Sequence, residues 1–118
     1  MQSNKRIMYL RDKNKKPIAC LAIAIERSMS IIGWQISTLN PEDNLVKSMG
    51  RELAIGRLVS RPYLIKGIPA DITLHDITAL VMADVSVSKE IPTRAIRAAK
   101  RWLNTKPTHK REERDTLV

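Results

Sequence analysis

The first forty residues contain three apolar-rich runs of strand length, separated by short polar segments, a pattern that is typical of β-strands. The runs 6–11 and 17–26 flank the polar segment 12–16, whose asparagine favours a turn, so they predict an antiparallel hairpin. The second run is apolar on both faces and therefore indicates a central strand. Three small side chains share one of its faces: Cys20, Ala22 and Ala24. We expect a helix to pack closely on that face.

Two further runs extend the predicted sheet. Residues 31–37 alternate with the period of two of a β-strand, and their large apolar side chains share one face: Ile32, Trp34 and Ile36. We expect this face to meet the core. Residues 63–68 are bracketed by prolines, which suits either a short strand or an ordered loop, and we favour a strand at an edge of the sheet.

After residue 40 the apolar residues recur at helical spacing, and three segments predict helices. The first of them begins at residue 41. The sequence NPED at 40–43 has the residues favoured at a helix start, because asparagine caps, proline tolerates the first position and acids suit the helix dipole. It predicts a helix over 41–59. The predicted core face of this helix has five members: Leu45, Met49, Leu53, Gly56 and Val59.

Two more helices are predicted nearer the C-terminus. Residues 71–85 have apolar positions near helical spacing: Ile72, His75, Leu80 and Ala83. Pro92 opens a final helix that runs through residue 103. Its predicted apolar stripe has four members: Ile96, Ala99, Trp102 and Leu103.

These elements together predict an α+β fold, with a small antiparallel sheet of three to four strands packed against two to three helices. A chain of 118 residues is long enough for one domain but not for two independent cores. We expect a single domain over 1–104. Residues 105–118 are polar and predict a mobile C-terminal tail.

Charge changes the picture because it is concentrated in two blocks. The net charge is +9. Residues 1–16 carry six basic residues and one acidic one, and residues 94–111 carry seven basic residues and no acidic one, whereas the middle of the chain is close to neutral. Such blocks favour an anionic partner. Aromatic residues make up only 3%, which counts against the base-stacking platforms of many single-strand-binding modules.

The sequence offers little support for a disulfide, a metal site, a membrane span or a catalytic site. A single cysteine excludes an intrachain disulfide and fits a reducing, cytoplasmic compartment, and two distant histidines give no zinc spacing, so we expect no metal or other cofactor. No apolar run is long enough to span a membrane. The glycines form no phosphate-binding loop. His75 lies between two aspartates, but without a nucleophile nearby it is better interpreted as a half-buried residue at a helix start, so we expect no enzymatic activity.

Anion binding is better supported by the residues. The last predicted helix carries a stripe of four cations: Arg94, Arg97, Lys100 and Arg101. The alternative interpretation of this stripe is a solvated helix face. Arg57, flanked by glycines near the margin of its helix, suits bidentate contact with a phosphate and should be held rather than free. Its alternative is an internal ion pair with Asp71 or Asp84.

A set of short motifs runs through the same segments. The sequence has GW at 33–34, NPED at 40–43, a lysine at 47, GR at 50–51 and AIGR at 54–57. Residues 91–102 then have the pattern IP-x-x-x-I-x-x-A-x-R-W. In these motifs the chain resembles small phage counter-defence proteins, and among them most closely the Thoeris anti-defence family.

The resemblance implies an α+β homo-oligomer that captures cyclic ADP-ribose isomers, or in some members cyclic oligonucleotides, without cleaving them. It assigns ligand contacts to Arg57 and to Arg97 or Arg101. An aromatic stacking residue is expected in the middle region, where this chain has no phenylalanine and Tyr63 is the nearby aromatic residue.

The leading hypothesis is therefore a phage-type protein that sequesters a cyclic nucleotide immune messenger in the host cytoplasm. A basic nucleic-acid-binding module is the alternative, because the same cations suit a polyphosphate backbone. A further alternative is an inhibitor that contacts an acidic surface of a host protein.

Overall fold

The computed structural model describes residues 4–38 and 46–105. The elements follow one another as β1 (Asn4–Arg11), β2 (Pro17–Glu26), β3 (Ile31–Thr38), α1 (Val46–Ser60), β4 (Tyr63–Lys66), α2 (Leu74–Ser86) and α3 (Thr93–Asn104). A 3-10 turn over Arg27–Met29 joins β2 to β3. Four antiparallel strands and three helices make a small α+β fold, which confirms the predicted class.

The four strands lie in the order β1-β2-β3-β4, and each pair of neighbours is antiparallel. The prediction that β2 is central is confirmed, because it pairs with β1 on one side and β3 on the other. The short β4 is an edge strand, as predicted. Contacts between Cα atoms divide the chain into two compact units, the first ending at Ile68 and the second beginning at Pro69.

The turn between β1 and β2 is fixed by one aspartate. A side-chain oxygen of Asp12 accepts hydrogen bonds from the backbone N–H groups of Asn14 at 2.8 Å and Lys16 at 3.0 Å. Lys15 adopts the left-handed conformation with φ 66°, and its N–H donates to the Asp12 carbonyl at 3.0 Å. This local bonding explains why the polar segment closes a hairpin.

Helix α1 packs on the small-residue face of the sheet, as the sequence predicts. Cys20 and Ala22 of β2 form a buried cluster with Ala54 and Leu58 of α1. The distance between packed elements depends on the side chains at the contact, so small residues on both sides let helix and strand approach closely. Ser37 of β3 adds a hydrogen bond from its buried hydroxyl to the Gly50 carbonyl of the helix.

The predicted core face of α1 is wrong at its described members, because Leu53 and Val59 are 51% and 70% exposed and Gly56 is exposed as well. The other two members, Leu45 and the side chain of Met49, lie outside the described residues. Among residues 50–60 the buried positions are Gly50, Ala54 and Leu58, spaced by four. The sheet presents the small Cys20 and Ala22 there, so the helix packs Ala54 and Leu58 against them and turns Leu53 and Val59 outward. The helix ends at Ser60, close to the predicted end, and its predicted start at 40–43 lies outside the described residues.

The other face of the sheet carries the large apolar side chains. They are all buried, as expected for a core face: Leu21, Ile23, Ile25, Ile32, Trp34 and Ile36. Trp34 is 1% exposed, and its ring centroid lies 4.6 Å from that of Tyr63 on β4. The neighbouring strands therefore share an aromatic contact on this face.

In the second unit, α2 and α3 pack against each other. The Thr73 hydroxyl caps α2 by accepting a hydrogen bond from the Asp76 N–H at 3.1 Å. The predicted apolar face of α2 is wrong in part, because Leu80 and Ala83 are exposed. The buried positions are instead Ile77, Thr78, Val81, Met82 and Val85.

The last helix matches its prediction closely, beginning one residue after Pro92 and ending at Asn104. Of the predicted tail over 105–118, the structure describes only Thr105, whose N–H and hydroxyl both donate to the Arg101 carbonyl, at 3.0 Å and 2.8 Å. The single domain over 1–104 stays a prediction. No helix in the described ranges is both long and apolar enough to cross a membrane.

The Cys20 thiol is expected to be unreactive in the native protein. It is fully buried, and burial raises its pKa above the ordinary value, although the positive charge of Arg51 opposes this rise. Because the thiolate is the reacting species, a colorimetric disulfide reagent should give no signal with native protein and one thiol per chain in urea. Rapid reaction without denaturant would contradict this burial.

Candidate functional site

The predicted cation stripe lies on α3. The other side of this helix is made of small, buried residues. Ala95, Ala98 and Ala99 are buried on the side of the helix that packs on α2. The Pro92 carbonyl accepts from the N–H groups of Ala95 at 3.0 Å and Ile96 at 3.2 Å, which begins the helix. Alanine suits both helix formation and close helix packing, so this sequence makes a helix with one buried face of small residues.

The four predicted cations share the opposite side of α3. At about 100° per residue, their side chains leave the helix within an arc of about 120°. Arg94, Arg97 and Lys100 are exposed, and Arg101 is half-buried. We call this surface the basic face: Arg94, Arg97, Lys100 and Arg101. The structure thus brings four of the five predicted site residues together.

Helix stability does not explain this charge pattern. Like charges three or four positions apart destabilise a helix by about 0.2–0.5 kcal/mol per pair. Arg94 also lies in the first turn, where the positive end of the helix dipole repels a cation, and no acidic residue is present there to compensate. A purely structural helix gains from mixed charges at these positions. The basic face therefore points to an anionic partner.

Beside the basic face, two aromatic rings link the helices of this unit. The ring centroids of His75 on α2 and Trp102 on α3 lie 5.8 Å apart. Both side chains are half-buried, and His75 is the second residue of its helix. This confirms the interpretation of His75 as a packed residue at a helix start.

Arg57, the fifth predicted site residue, lies on α1 in the first unit. Its Nη1 donates a hydrogen bond to the Ile36 carbonyl of β3 at 2.8 Å. The expectation that Arg57 is held rather than free is therefore confirmed, with a backbone carbonyl as its partner. One guanidinium nitrogen is used in this contact, and the remaining donors can still meet a phosphate. That Arg57 joins the basic face stays a prediction.

Replacing Arg57 with methionine should lower the free energy of unfolding by about 1 kcal/mol, because the Ile36 carbonyl loses the donor of a partly buried hydrogen bond. Urea unfolding followed by circular dichroism measures this loss. The matched control is Arg51→Met on the same helix, where the exposed guanidinium makes no hydrogen bond to the described residues, and stability should hold. Equal losses in both variants would contradict a specific role for Arg57.

A concave surface of about 640 Å³ lies elsewhere in the second unit, around the start of α2. Its lining residues are Pro69, Asp71, Ile72, Thr73, Asp76, Ala79 and Leu80. Two carboxylates and no basic side chain line it, so it does not suit a phosphate. Both aspartates are evident in the sequence, whereas the concavity depends on how the chain turns between Pro69 and the Thr73 cap of α2.

In the part of the chain that the structure describes, no three His, Cys, Asp or Glu side chains are grouped to hold a metal ion. Comparisons with protein family models, with curated proteins and with solved structures found no match for this chain. The basic face is therefore the feature of this chain that best indicates a function.

Proposed function

We propose that this protein binds the phosphate groups of a nucleotide ligand on the basic face and leaves the ligand intact. One observation carries the proposal: four cations share one side of α3, without an acidic residue, against the preference of the helix itself. Arginine forms bidentate, charge-assisted hydrogen bonds with phosphate, and these bonds are about twice as strong as neutral ones.

The resemblance to phage counter-defence proteins makes the proposal more specific. In that form, the protein captures a cyclic nucleotide messenger in the cytoplasm of an infected cell. A compact ligand with two phosphates can engage two arginines at once. Arg94 and Arg101 are seven residues apart, which is about 10 Å along the helix axis. Since a helix face encloses a small ligand on one side only, tight capture also calls for a second surface, such as Arg57 or a second copy of the chain.

Nucleic acid is the second candidate ligand, and the exposure of the basic face favours it. Arg94, Arg97 and Lys100 are open to solvent, so they can meet a long phosphate backbone without enclosing it. The scarcity of aromatic residues favours a duplex over a single strand, because duplex binding needs phosphate contacts rather than base stacking.

Calorimetric titration distinguishes the two ligands. Cyclic ADP-ribose isomers, cyclic dinucleotides and trinucleotides, and a short DNA duplex are titrated into the protein at about 50 mM and about 200 mM salt. A duplex held by four phosphate contacts should lose about 100-fold in affinity over this range. A small ligand enclosed by arginines should lose much less.

Ligand recovered after incubation is then identified by mass spectrometry. Saturable binding of either ligand class with full recovery of intact ligand supports the proposal. No binding to any of these ligands, or conversion of the bound ligand to a product, overturns it.

A further inference from the structure

The concave surface at the start of α2 combines an apolar lining with two carboxylates. Its volume of about 640 Å³ lies within the range of about 300–1,000 Å³ that is common for ligand pockets. We call this surface the acidic concavity. Its apolar residues are Pro69, Ile72, Ala79 and Leu80, and its acidic ones are Asp71 and Asp76.

The two carboxylates have no partner in the part of the chain that the structure describes. Asp71 and Asp76 are exposed, and neither side chain makes a hydrogen bond or ion pair with a described residue. Asp76 lies in the first turn of α2, where the helix dipole favours an acidic residue, whereas Asp71 precedes the Thr73 cap. The dipole contributes only about half a positive charge at this end, so the acidic concavity keeps a net negative charge. It therefore suits a cation.

The pairing of α2 with α3 places the end of α3 beside the acidic concavity. His75 is the second residue of α2, and its ring centroid lies 5.8 Å from that of Trp102, the third residue from the end of α3. Asp76 follows His75 directly in the chain. The chain therefore leaves α3, at Thr105, close to the first turn of α2.

The six residues that follow Thr105 are strongly basic. Lys106, Lys110 and Arg111 carry three positive charges, and residues 106–111 include no acidic residue. Six residues span at most about 20 Å when fully extended, which is nearly twice the diameter of a helix. The segment is therefore long enough to reach the acidic concavity from the end of α3.

We infer that residues 106–111 of this chain occupy the acidic concavity, with their cations paired to Asp71 and Asp76. The charges are opposite, and attachment beside the concavity gives the segment an effective concentration in the millimolar range, which a separate cationic partner lacks. The methylene stems of lysine and arginine can lie along the apolar residues of the concavity while their charged ends reach the carboxylates. The tail predicted to be mobile over 105–118 is then held over its first part, and no residue of the basic face is involved.

Nitrogen-15 relaxation of the full chain at low salt tests this docking. In wild-type protein the backbone order parameters of residues 106–111 should lie above about 0.6, and Asp71→Asn with Asp76→Asn should lower them below that value, which marks a flexible backbone. The matched control is Glu26→Gln with Glu52→Gln, which removes the same charge from the first unit and should leave the order parameters unchanged. A flexible segment in wild-type protein, or order that the asparagine pair does not change, overturns the inference.

An exchange of charges tests whether the contact is direct. Asp71→Lys with Asp76→Lys should release the segment, and so should Lys106→Glu with Lys110→Glu. Combining all four substitutions should raise the order parameters above about 0.6 again, because the facing charges are once more opposite. Circular dichroism checks that the helices form in each variant. If the combined variant is as flexible as the separate ones, a direct contact is contradicted.

Two measurements distinguish the chain's own segment from other occupants. Contact within one chain does not depend on protein concentration, so the order parameters should stay constant on dilution, and a fall would assign the occupant to a second copy and overturn the inference. A separate peptide of sequence KPTHKR should bind a chain with Lys106→Gln, Lys110→Gln and Arg111→Gln at least about tenfold more tightly than wild-type protein, whose concavity is already occupied. Equal affinities for the peptide would also overturn it.

Discussion

Replacing both Arg94 and Arg97 with glutamate is expected to reduce affinity for the nucleotide ligand by at least about 100-fold. Each arginine donates charge-assisted hydrogen bonds of about 1.5–3 kcal/mol in net terms, and about 1.4 kcal/mol corresponds to tenfold in affinity. Glutamate also repels phosphate. The fold should survive, because both positions are exposed and lie in the first turns of α3, where an acidic residue favours the helix dipole.

The matched control makes the same change in net charge on a different surface. Lys13→Glu with Lys16→Glu changes the turn between β1 and β2, where both lysines are exposed. If the basic face binds the ligand, calorimetry should show a loss for the α3 variant and a small change for the control. Equal losses would mean that net charge, rather than the basic face, governs binding, and would contradict the proposal.

The same pair of variants distinguishes the two candidate ligands. For a DNA duplex, removal of two phosphate contacts should reduce the slope of log affinity against log salt by about 1.8. For a cyclic nucleotide held at a compact site, affinity falls while the weak salt dependence stays. The slope therefore reports on the ligand even where the affinities are similar.

The strands could be predicted from the sequence because their signal is local. The alternation in β2 and β3 assigns each residue to a face, and Asp12 with its neighbours closes the hairpin within five residues. The basic face was also predictable, because four cations on one helix share a side whatever the helix packs against.

The buried face of α1 was not predictable from the helix alone. The predicted core face included Leu53 and left out Leu58, whereas the structure exposes Leu53 and buries Leu58 together with Gly50 and Ala54. What decides the orientation is the partner strand, whose Cys20 and Ala22 leave space for close approach. The small residues of β2 carried this information, but it belongs to the pairing of two distant segments.

Arg57 shows a second limit of the same kind. The sequence shows which carboxylates are available to form an ion pair with an arginine, and Asp71 and Asp84 were the predicted candidates for Arg57. The actual partner is the Ile36 carbonyl, and every residue in the chain has a carbonyl. Only the three-dimensional placement of α1 over β3 selects one of them.

The second large effect expected from the structure is on stability. Replacing Trp34 with alanine should lower the free energy of unfolding by about 3–5 kcal/mol, because the side chain is 1% exposed and its removal leaves a cavity. The Trp34 position pairs with Ile23 on β2 and Tyr63 on β4, so packing is lost across three strands. Differential scanning calorimetry should show the midpoint of unfolding fall by about 10–20 °C.

Trp102→Ala is the matched control, because this tryptophan is half-buried and belongs to the second unit of the chain, whereas Trp34 belongs to the first. Its removal should cost distinctly less, since part of the side chain already contacts water. If Trp34→Ala does not fold, Trp34→Phe should fold with a smaller loss of the same sign, because phenylalanine keeps a ring beside Tyr63. Equal losses for Trp34→Ala and Trp102→Ala would contradict the burial of Trp34. Fluorescence adds a second measurement. Trp102→Ala keeps only the buried Trp34, so in its native state it should emit at shorter wavelength than Trp34→Phe, which keeps only the half-buried Trp102.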